Sequence, residues 1–294
     1  MSDIKLKDVL KKLRSYEIKI RKAVNQNMHG DYHSVFKGSG IEFDDVRQYS
    51  YGDDVRNIDW NVTAKGHGTF IKVFKEEKEQ VVFFMVDVSA SQDIGKDGAK
   101  KIDLAKEIAG VLALSAIKED SRVGAFCFSD QKEKYIKPDK GIKFGYELIS
   151  NILKLSPKSA RTDLSKSILY TLNAIKRRSI IILISDFIDE NYMQSFKALA
   201  NKHDLVAIHL SDRREAKLPG LGIIPLYDKE AKKTIWINSS SSSFKNSVNQ
   251  QFNNTKSELE KVCRATNSSY LQIFTNEDYV SKLVRLFNLR SAMR

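Results

Sequence analysis

The chain has 294 residues, enough for one large α/β domain plus an appendage or for two modest domains. Hydrophobic residues at 41% and charged residues at 29% match a soluble globular protein, and no stretch approaches the roughly 18–20 uninterrupted apolar residues of a membrane span. A net charge of +12, from 49 Lys+Arg against 37 Asp+Glu, favours anionic partners (nucleic acid, a membrane surface or an acidic protein) without choosing among them.

In chain order, residues 3–25 place Leu6, Val9, Leu10, Leu13, Ile20 and Val24 near helical spacing with lysines elsewhere. This predicts a basic amphipathic helix, which packs its stripe on its own domain or lies on a membrane surface. The N-terminus has no apolar core of the secretory type. Residues 26–68 are polar and punctuated by glycine, and "TFIKVFKEE" then reads as a strand.

From residue 81 onward strands and helices alternate. The pattern predicts strand 81–87, helix 99–118, strands 122–129 and 133–137, and helices 143–154 and 163–176. Beyond these follow strand 179–185, helix 191–201, strand 204–210, a hairpin over 223–237, helix 244–266, strand 269–274 and helix 277–289. Such alternation implies an α/β fold with a mostly parallel sheet and helices on both faces. The chain therefore divides into an N-terminal helical and β extension over 1–78 and an α/β domain over 79–294, with a hairpin insertion near 220–240. The serine run "NSSSSSF" at 238–244 reads as a flexible connection or a helix N-cap. Cys127 and Cys263 have no metal or redox spacing, which fits a reducing, cytoplasmic compartment; Cys127 reads as a buried hydrophobe.

The most informative stretch is "VVFFMVDVSAS" at 81–91. Val81 to Val86 reads as a fully buried strand, yet the chain leaves it through an oxygen on every second residue: Asp87, Ser89 and Ser91. A second strand, "IIILISDF", ends the same way at Asp186, and between them "SARTDLSKSI" opens a helix at Thr162 and Asp163. Ligands of open parallel sheets bind beyond the carboxyl ends of strands. Two carboxylates with several neutral hydroxyls suit a hard cation such as Mg²⁺, with Mn²⁺ or another divalent ion as the alternative. So few charges leave the ion electrophilic, and an acidic side chain from another protein would complete its shell.

The set "DVSAS" (87–91), "TD" (162–163) and "SD" (185–186) resembles the metal-ion-dependent adhesion site of von Willebrand factor type A domains. The upstream run "GSGIEFDDVRQYSYGDDVRNIDWNVTAKGHGTFIKVFKEEKEQ", leading into "VDVSAS", closely resembles the bacterial domain of unknown function 58 family, from about residue 35 to 235. The resemblance implies a von Willebrand A-like, Rossmann-like domain that cooperates with a MoxR-type AAA+ ATPase as adaptor or co-chaperone. It also implies Asp87, Ser89, Ser91, Thr162 and Asp186 as metal ligands. Gln92 stands where many members have methionine, a position that is not a ligand.

The signature "GDDVRNIDW" has two readings. Asp53, Asp54 and Asp59 around Arg56 can clamp a loop, with Trp60 anchored against the domain. Alternatively, Asp53, Asp54, Arg56, Asp59 and Trp60 form a partner-docking surface. A second metal site from Glu42, Asp44, Asp45, Asp53 and Asp54 is the weaker idea.

Catalytic readings fare worse. A dehalogenase-like phosphatase needs an acid two residues after its nucleophilic aspartate, and position 89 is serine. Two-metal nucleases need more carboxylates than Asp87 and Asp186. His29 and His33 are four apart with Gly30 between them, and no P-loop or Ser-His-Asp pattern stands out. The reading is a non-enzymatic, metal-dependent interaction module, with nucleic-acid binding through the basic surface as the alternative.

Overall fold

The strand at the centre of the fold is made by seven residues, Val81–Asp87, all but the first buried. Both its faces are covered by helices, which is why its sequence is continuously apolar rather than alternating. The computed structural model describes residues 11, 13–15, 18, 40–66, 68–77, 80–96, 99–216, 221–228 and 233–292.

The elements in chain order are β1 (Gly40–Gln48), α1 (Trp60–Thr63), β2 (Phe70–Glu77), β3 (Val81–Asp87), the two-residue strands β4 (Gly95–Lys96) and β5 (Ala99–Lys100), and α2 (Lys101–Lys118). Next come β6 (Arg122–Phe128), β7 (Lys132–Asp139), α3 (Ile142–Lys154), α4 (Leu164–Ala174), β8 (Ile180–Ser185), α5 (Met193–Lys202), β9 (Asp204–Ser211) and α6 (Arg213–Ala216). The hairpin β10 (Ile223–Asp228) and β11 (Lys233–Asn238), α7 (Ser242–Ala265), β12 (Ser269–Phe274) and α8 (Tyr279–Ala292) complete the described chain.

Six strands form one sheet in the order β12-β9-β8-β3-β6-β7, parallel except for the antiparallel edge strand β7. The strand order reverses between β3 and β8, whose register pairs Val86 with Ile184. The carboxyl ends of these two strands therefore flank the crevice where such sheets bind ligands. This is the mostly parallel α/β architecture, with helices on both faces of the sheet, expected from the sequence.

Alternate residues of each strand feed opposite layers. Phe84, Val86, Ile182 and Ile208 face one apolar cluster with α2, α3 and α8. Phe83, Met85, Leu183 and Ala207 face the other with α4, α5 and α7. Each fully buried Phe, Met, Leu, Ile or Val among them contributes about 1.5–3 kcal/mol. Cys127 and Cys263 are free and buried, as apolar filling.

The helix expected over 3–25 lies largely outside the described residues. Residues 11, 13–15 and 18 are helical, and Leu13 is fully buried in the α2 layer. Its Cδ1 stands 2.9 Å from where a Cβ on Gly110 would lie, so at this residue the helix packs on its own domain. His29, His33 and His67 also lie outside the described residues.

The structure adds detail to two local readings. Residues 40–48, inside the polar, glycine-punctuated stretch, form a strand: β1 pairs antiparallel with β2, with a register shift between Phe43 and Asp45. Its ladder bonds come from a partner more than twenty residues away, which a local pattern does not reveal. The serine run does more than connect. Ser239, fully buried, accepts from Leu221 N at 2.9 Å and donates to Gly222 O at 2.9 Å, and Ser240 Oγ accepts from Gly222 N at 2.9 Å. These bonds tie the two ends of the hairpin together before Ser241 takes the N-cap position of α7.

Candidate metal centre

Asp87 is the last residue of β3 and is fully buried. Its Oδ1 accepts from the Ser89 backbone N at 3.0 Å and from Ser89 Oγ at 2.6 Å, bonds that fold the chain sharply after the strand. Its Oδ2 accepts from Ser185 Oγ at 2.7 Å and more weakly from Gln92 Nε2 at 3.4 Å. Ser89 Oγ and Ser91 Oγ stand 3.0 Å apart. The two-residue spacing thus brings both hydroxyls to one side.

Asp186 follows β8 directly and is buried. Its Oδ1 accepts from Ile188 N at 3.2 Å, and its Oδ2 from Lys101 Nζ at 2.7 Å. The turn is strained: Phe187, a buried aromatic, has a φ of 55°. Non-glycine residues seldom adopt this region, and such strain clusters at functional sites. Phe187 N is held by Ser185 Oγ at 3.0 Å, so one serine fixes both Asp87 and the turn that aims Asp186.

Thr162 lies between two pinned neighbours. The carbonyl of Arg161 accepts from Asp130 N at 2.9 Å, Asp163 N donates to Ser129 O at 3.4 Å, and the carbonyl of Ala160 accepts from Ala90 N at 2.9 Å. The segment before α4 is thereby held against the loop carrying Ser89 and Ser91. Asp163 itself is a helix cap, its Oδ1 accepting from Lys166 N at 2.8 Å.

Electrostatically, the site strains against its own charge. The Asp87 carboxyl is pushed up to about 6, first by burial and then by the charge of Asp186, while the hydrogen bonds from Ser89 and Ser185 pull it down. A cation would reverse this cost. The donor set fits one. All the oxygens are hard, and octahedral ligands at about 2.1 Å from an ion lie about 3 Å from their neighbours, matching the Ser89–Ser91 separation. Gln92 Oε1, buried beside Asp87, has no hydrogen-bond partner among the described residues, an acceptor that water of a hydrated ion would satisfy. Among the described residues no three His, Cys, Asp or Glu side chains converge as a metal group; here there are two carboxylates and the rest are hydroxyls.

Beside the site opens a cleft of about 770 Å³, bordered by Ser89, Ala90, Pro157, Lys158 and Arg161, with Asp93 and Asp130 also on its wall. Sequence reasoning gave no role to Ser185, Lys101 or Glu215. Ser185 could have been found from register, since it stands beside Asp87 once β3 and β8 are paired. Lys101 carries no local signal.

The "GDDVRNIDW" loop is clamped, but differently than expected. Arg47 takes Asp53 through two bonds of 2.8 and 2.6 Å, while Arg56 pairs with Asp54 at 2.7 Å. Asp59 caps α1 by accepting from Asn61 N and Val62 N. Trp60 is no anchor: it is 69% exposed, and Tyr51 and Val55 are exposed too. Asp53 and Asp54, two of the five carboxylates of the second metal site, are each held by an arginine. His203 and His209 are buried and pushed down to about 4, chiefly by burial; His209 Nδ1 lies 2.8 Å from the Tyr270 hydroxyl. Among the described residues no helix is long and apolar enough to cross a membrane.

The uncharacterized protein Rv1480 of Mycobacterium tuberculosis is 29% identical over 222 residues, covering 74% of this chain and 70% of its own. Mb1516 of Mycobacterium bovis matches over the same extent with the same identity. Among solved structures, BatB of Bacteroides thetaiotaomicron covers 72% of this chain and 99% of its own, at 13% identity and a TM-score of 0.48. The VWA domain of SpRpn10 covers 70% and 93%, at 12% identity and a TM-score of 0.41. Likenesses at these scores add nothing to the strand order and register described above. The model of the family described as "Protein of unknown function DUF58" matches residues 45–258, from β1 through the candidate site and into α7, and the chain belongs to that family.

Proposed function

We propose that this protein is a non-catalytic, Mg²⁺-dependent protein-interaction module. The observation that carries the reading is the convergence of Asp87, Ser89 and Ser91 at the switch point of the sheet, with Ser89 Oγ 2.6 Å from Asp87 Oδ1 and 3.0 Å from Ser91 Oγ. Asp87, Ser89, Ser91, Thr162 and Asp186 would hold the ion, directly or through water. When bound, the ion supplies a Lewis-acidic anchor for a carboxylate. Asp87 and Asp186 supply charge, the hydroxyls supply neutral oxygens, and Lys158 and Arg161 on the cleft wall attract an acidic chain.

The partner we propose is a MoxR-type AAA+ ATPase presenting a Glu or Asp, with this chain as its adaptor or co-chaperone. The exposed Trp60, beside Asp53, Asp54, Arg56 and Asp59, offers a second contact.

The test is binding of the purified ATPase to the immobilised protein in Mg²⁺, in excess EDTA and across a salt series. The reading predicts binding that EDTA abolishes and moderate salt leaves in place. Binding that ignores EDTA contradicts it. The +12 charge favours the alternative, nucleic acid, which would show as oligonucleotide binding indifferent to EDTA and falling steeply with salt.

A further inference from the structure

Lys101 is a lysine with no exposed surface. Lysine is almost never fully buried unless it is paired, and here the pairing is specific. Nζ stands 2.7 Å from Asp186 Oδ2 and 2.5 Å from Glu215 Oε1. Glu215 is itself held through Oε2, which accepts from Asp212 N at 2.8 Å. Burial pushes the ammonium down, but the two carboxylates outweigh burial and hold it above the ordinary lysine value. Lys101 is also the first residue of α2, where the helix dipole disfavours a cation. Its place is therefore maintained by Asp186 and Glu215.

The two halves of the metal site differ in how their carboxylates are engaged. Ser89 and Ser185 donate to Asp87 through hydroxyls, which can rotate and offer lone pairs to an ion. Asp186 is engaged by an ammonium, which has no lone pair to offer and carries the charge an incoming cation would bring. Both Asp186 oxygens are spoken for, Oδ1 by Ile188 N and Oδ2 by Lys101.

We propose that Lys101 is a built-in counter-cation that positions Asp186 and holds the divalent-cation affinity of the site below what its oxygens alone would give. The inference rests on the metal-site reading above. Lys101 pairs with both Asp186 and Glu215 and so gives the two carboxylates a counter-charge inside the fold without an ion. A cation entering the site must share Asp186 with it. Glu215 sets how strongly Lys101 holds Asp186, because one ammonium serves both carboxylates.

The experiment is calorimetric titration of the chelator-stripped full chain with Mn²⁺, comparing wild type, Lys101→Met and Glu215→Gln. Lys101→Met leaves Asp186 and Glu215 buried without compensation, so Mn²⁺ becomes their counter-charge. We expect binding at least tenfold tighter than wild type, with a lowered metal-free Tm that Mn²⁺ restores. Glu215→Gln turns Lys101 wholly onto Asp186, and binding weakens several-fold. A purely structural lysine would give equal or weaker binding in Lys101→Met, and that result overturns the inference while leaving the metal site standing. Absence of Mn²⁺ binding in wild type and Lys101→Met alike overturns both. If Lys101→Met does not fold, Glu215→Gln decides: weaker binding supports the inference, and unchanged or tighter binding overturns it.

Discussion

Ser185 and Asp87, 98 residues apart in the chain, meet across the switch point: the Ser185 hydroxyl donates to Asp87 Oδ2 at 2.7 Å. Ser185 Oγ in turn accepts from Phe187 N at 3.0 Å, so this hydroxyl joins the end of β3 to the strained turn after β8. Ser185→Ala leaves a buried carboxylate short of a donor and a buried N–H without its acceptor. We expect a loss of about 1–3 kcal/mol in urea denaturation, together with weaker Mn²⁺ binding. An unchanged denaturation midpoint would remove this serine from the account.

Asp87 gives the site a pH dependence with a definite sign. Unfolded, it ionises near the ordinary value of about 4; folded, it holds its proton up to about 6. As pH rises through this window the unfolded state ionises first, so the metal-free fold loses stability, by on the order of 3 kcal/mol once both forms are ionised. Asp87→Asn abolishes that loss. It should match wild type near pH 4 and exceed it near pH 7 in chelator. Added Mg²⁺ should stabilise only the wild type. Parallel stability curves for the two proteins across the window would contradict the buried-charge account.

How much of this was legible in the sequence depended on where the signal resides. The buried strands Val81–Asp87 and Ile180–Ser185 declare themselves, because strands covered on both faces are continuously apolar. Asp87, Ser89 and Ser91 were readable because their partners are two residues away. β1 was not, since its ladder partner is β2. Lys101 and Glu215 were also invisible: their pairing spans 114 residues and needs the sheet closed before it exists. Trp60, exposed in the fold, was open to either an anchor or a docking reading, because an aromatic beside arginines and aspartates reads the same whether it points in or out.

That exposure separates two neighbours in one loop. Trp60→Ala should leave stability within about 0.5 kcal/mol of wild type, while Asp59→Ala, which removes the cap of α1, should cost about 1 kcal/mol of local stability. Hydrogen exchange over residues 60–63 reads the second effect. If Trp60 belongs to a docking surface, its alanine variant weakens ATPase binding with no change in Tm; a lowered Tm would return it to a structural role.

Gly124, in β6, marks a tight approach to the edge strand. A Cβ there would lie 2.8 Å from Pro138 Cγ and 2.9 Å from both Pro138 N and Phe83 Cδ2. Backbone cannot yield as a flexible side chain can, so Gly124→Ala should destabilise by about 1–3 kcal/mol. Thermal unfolding at wild-type Tm would show that β7 moves freely on β6.

The proposed function rests on the carboxyl ends of β3 and β8 holding a divalent ion. Calorimetric titration of chelator-stripped protein with Mg²⁺ and Mn²⁺, wild type beside Asp87→Ala, tests it most directly. We expect saturable binding of one ion per chain in wild type and none in the variant. Equal binding by both, or none by either, would contradict it.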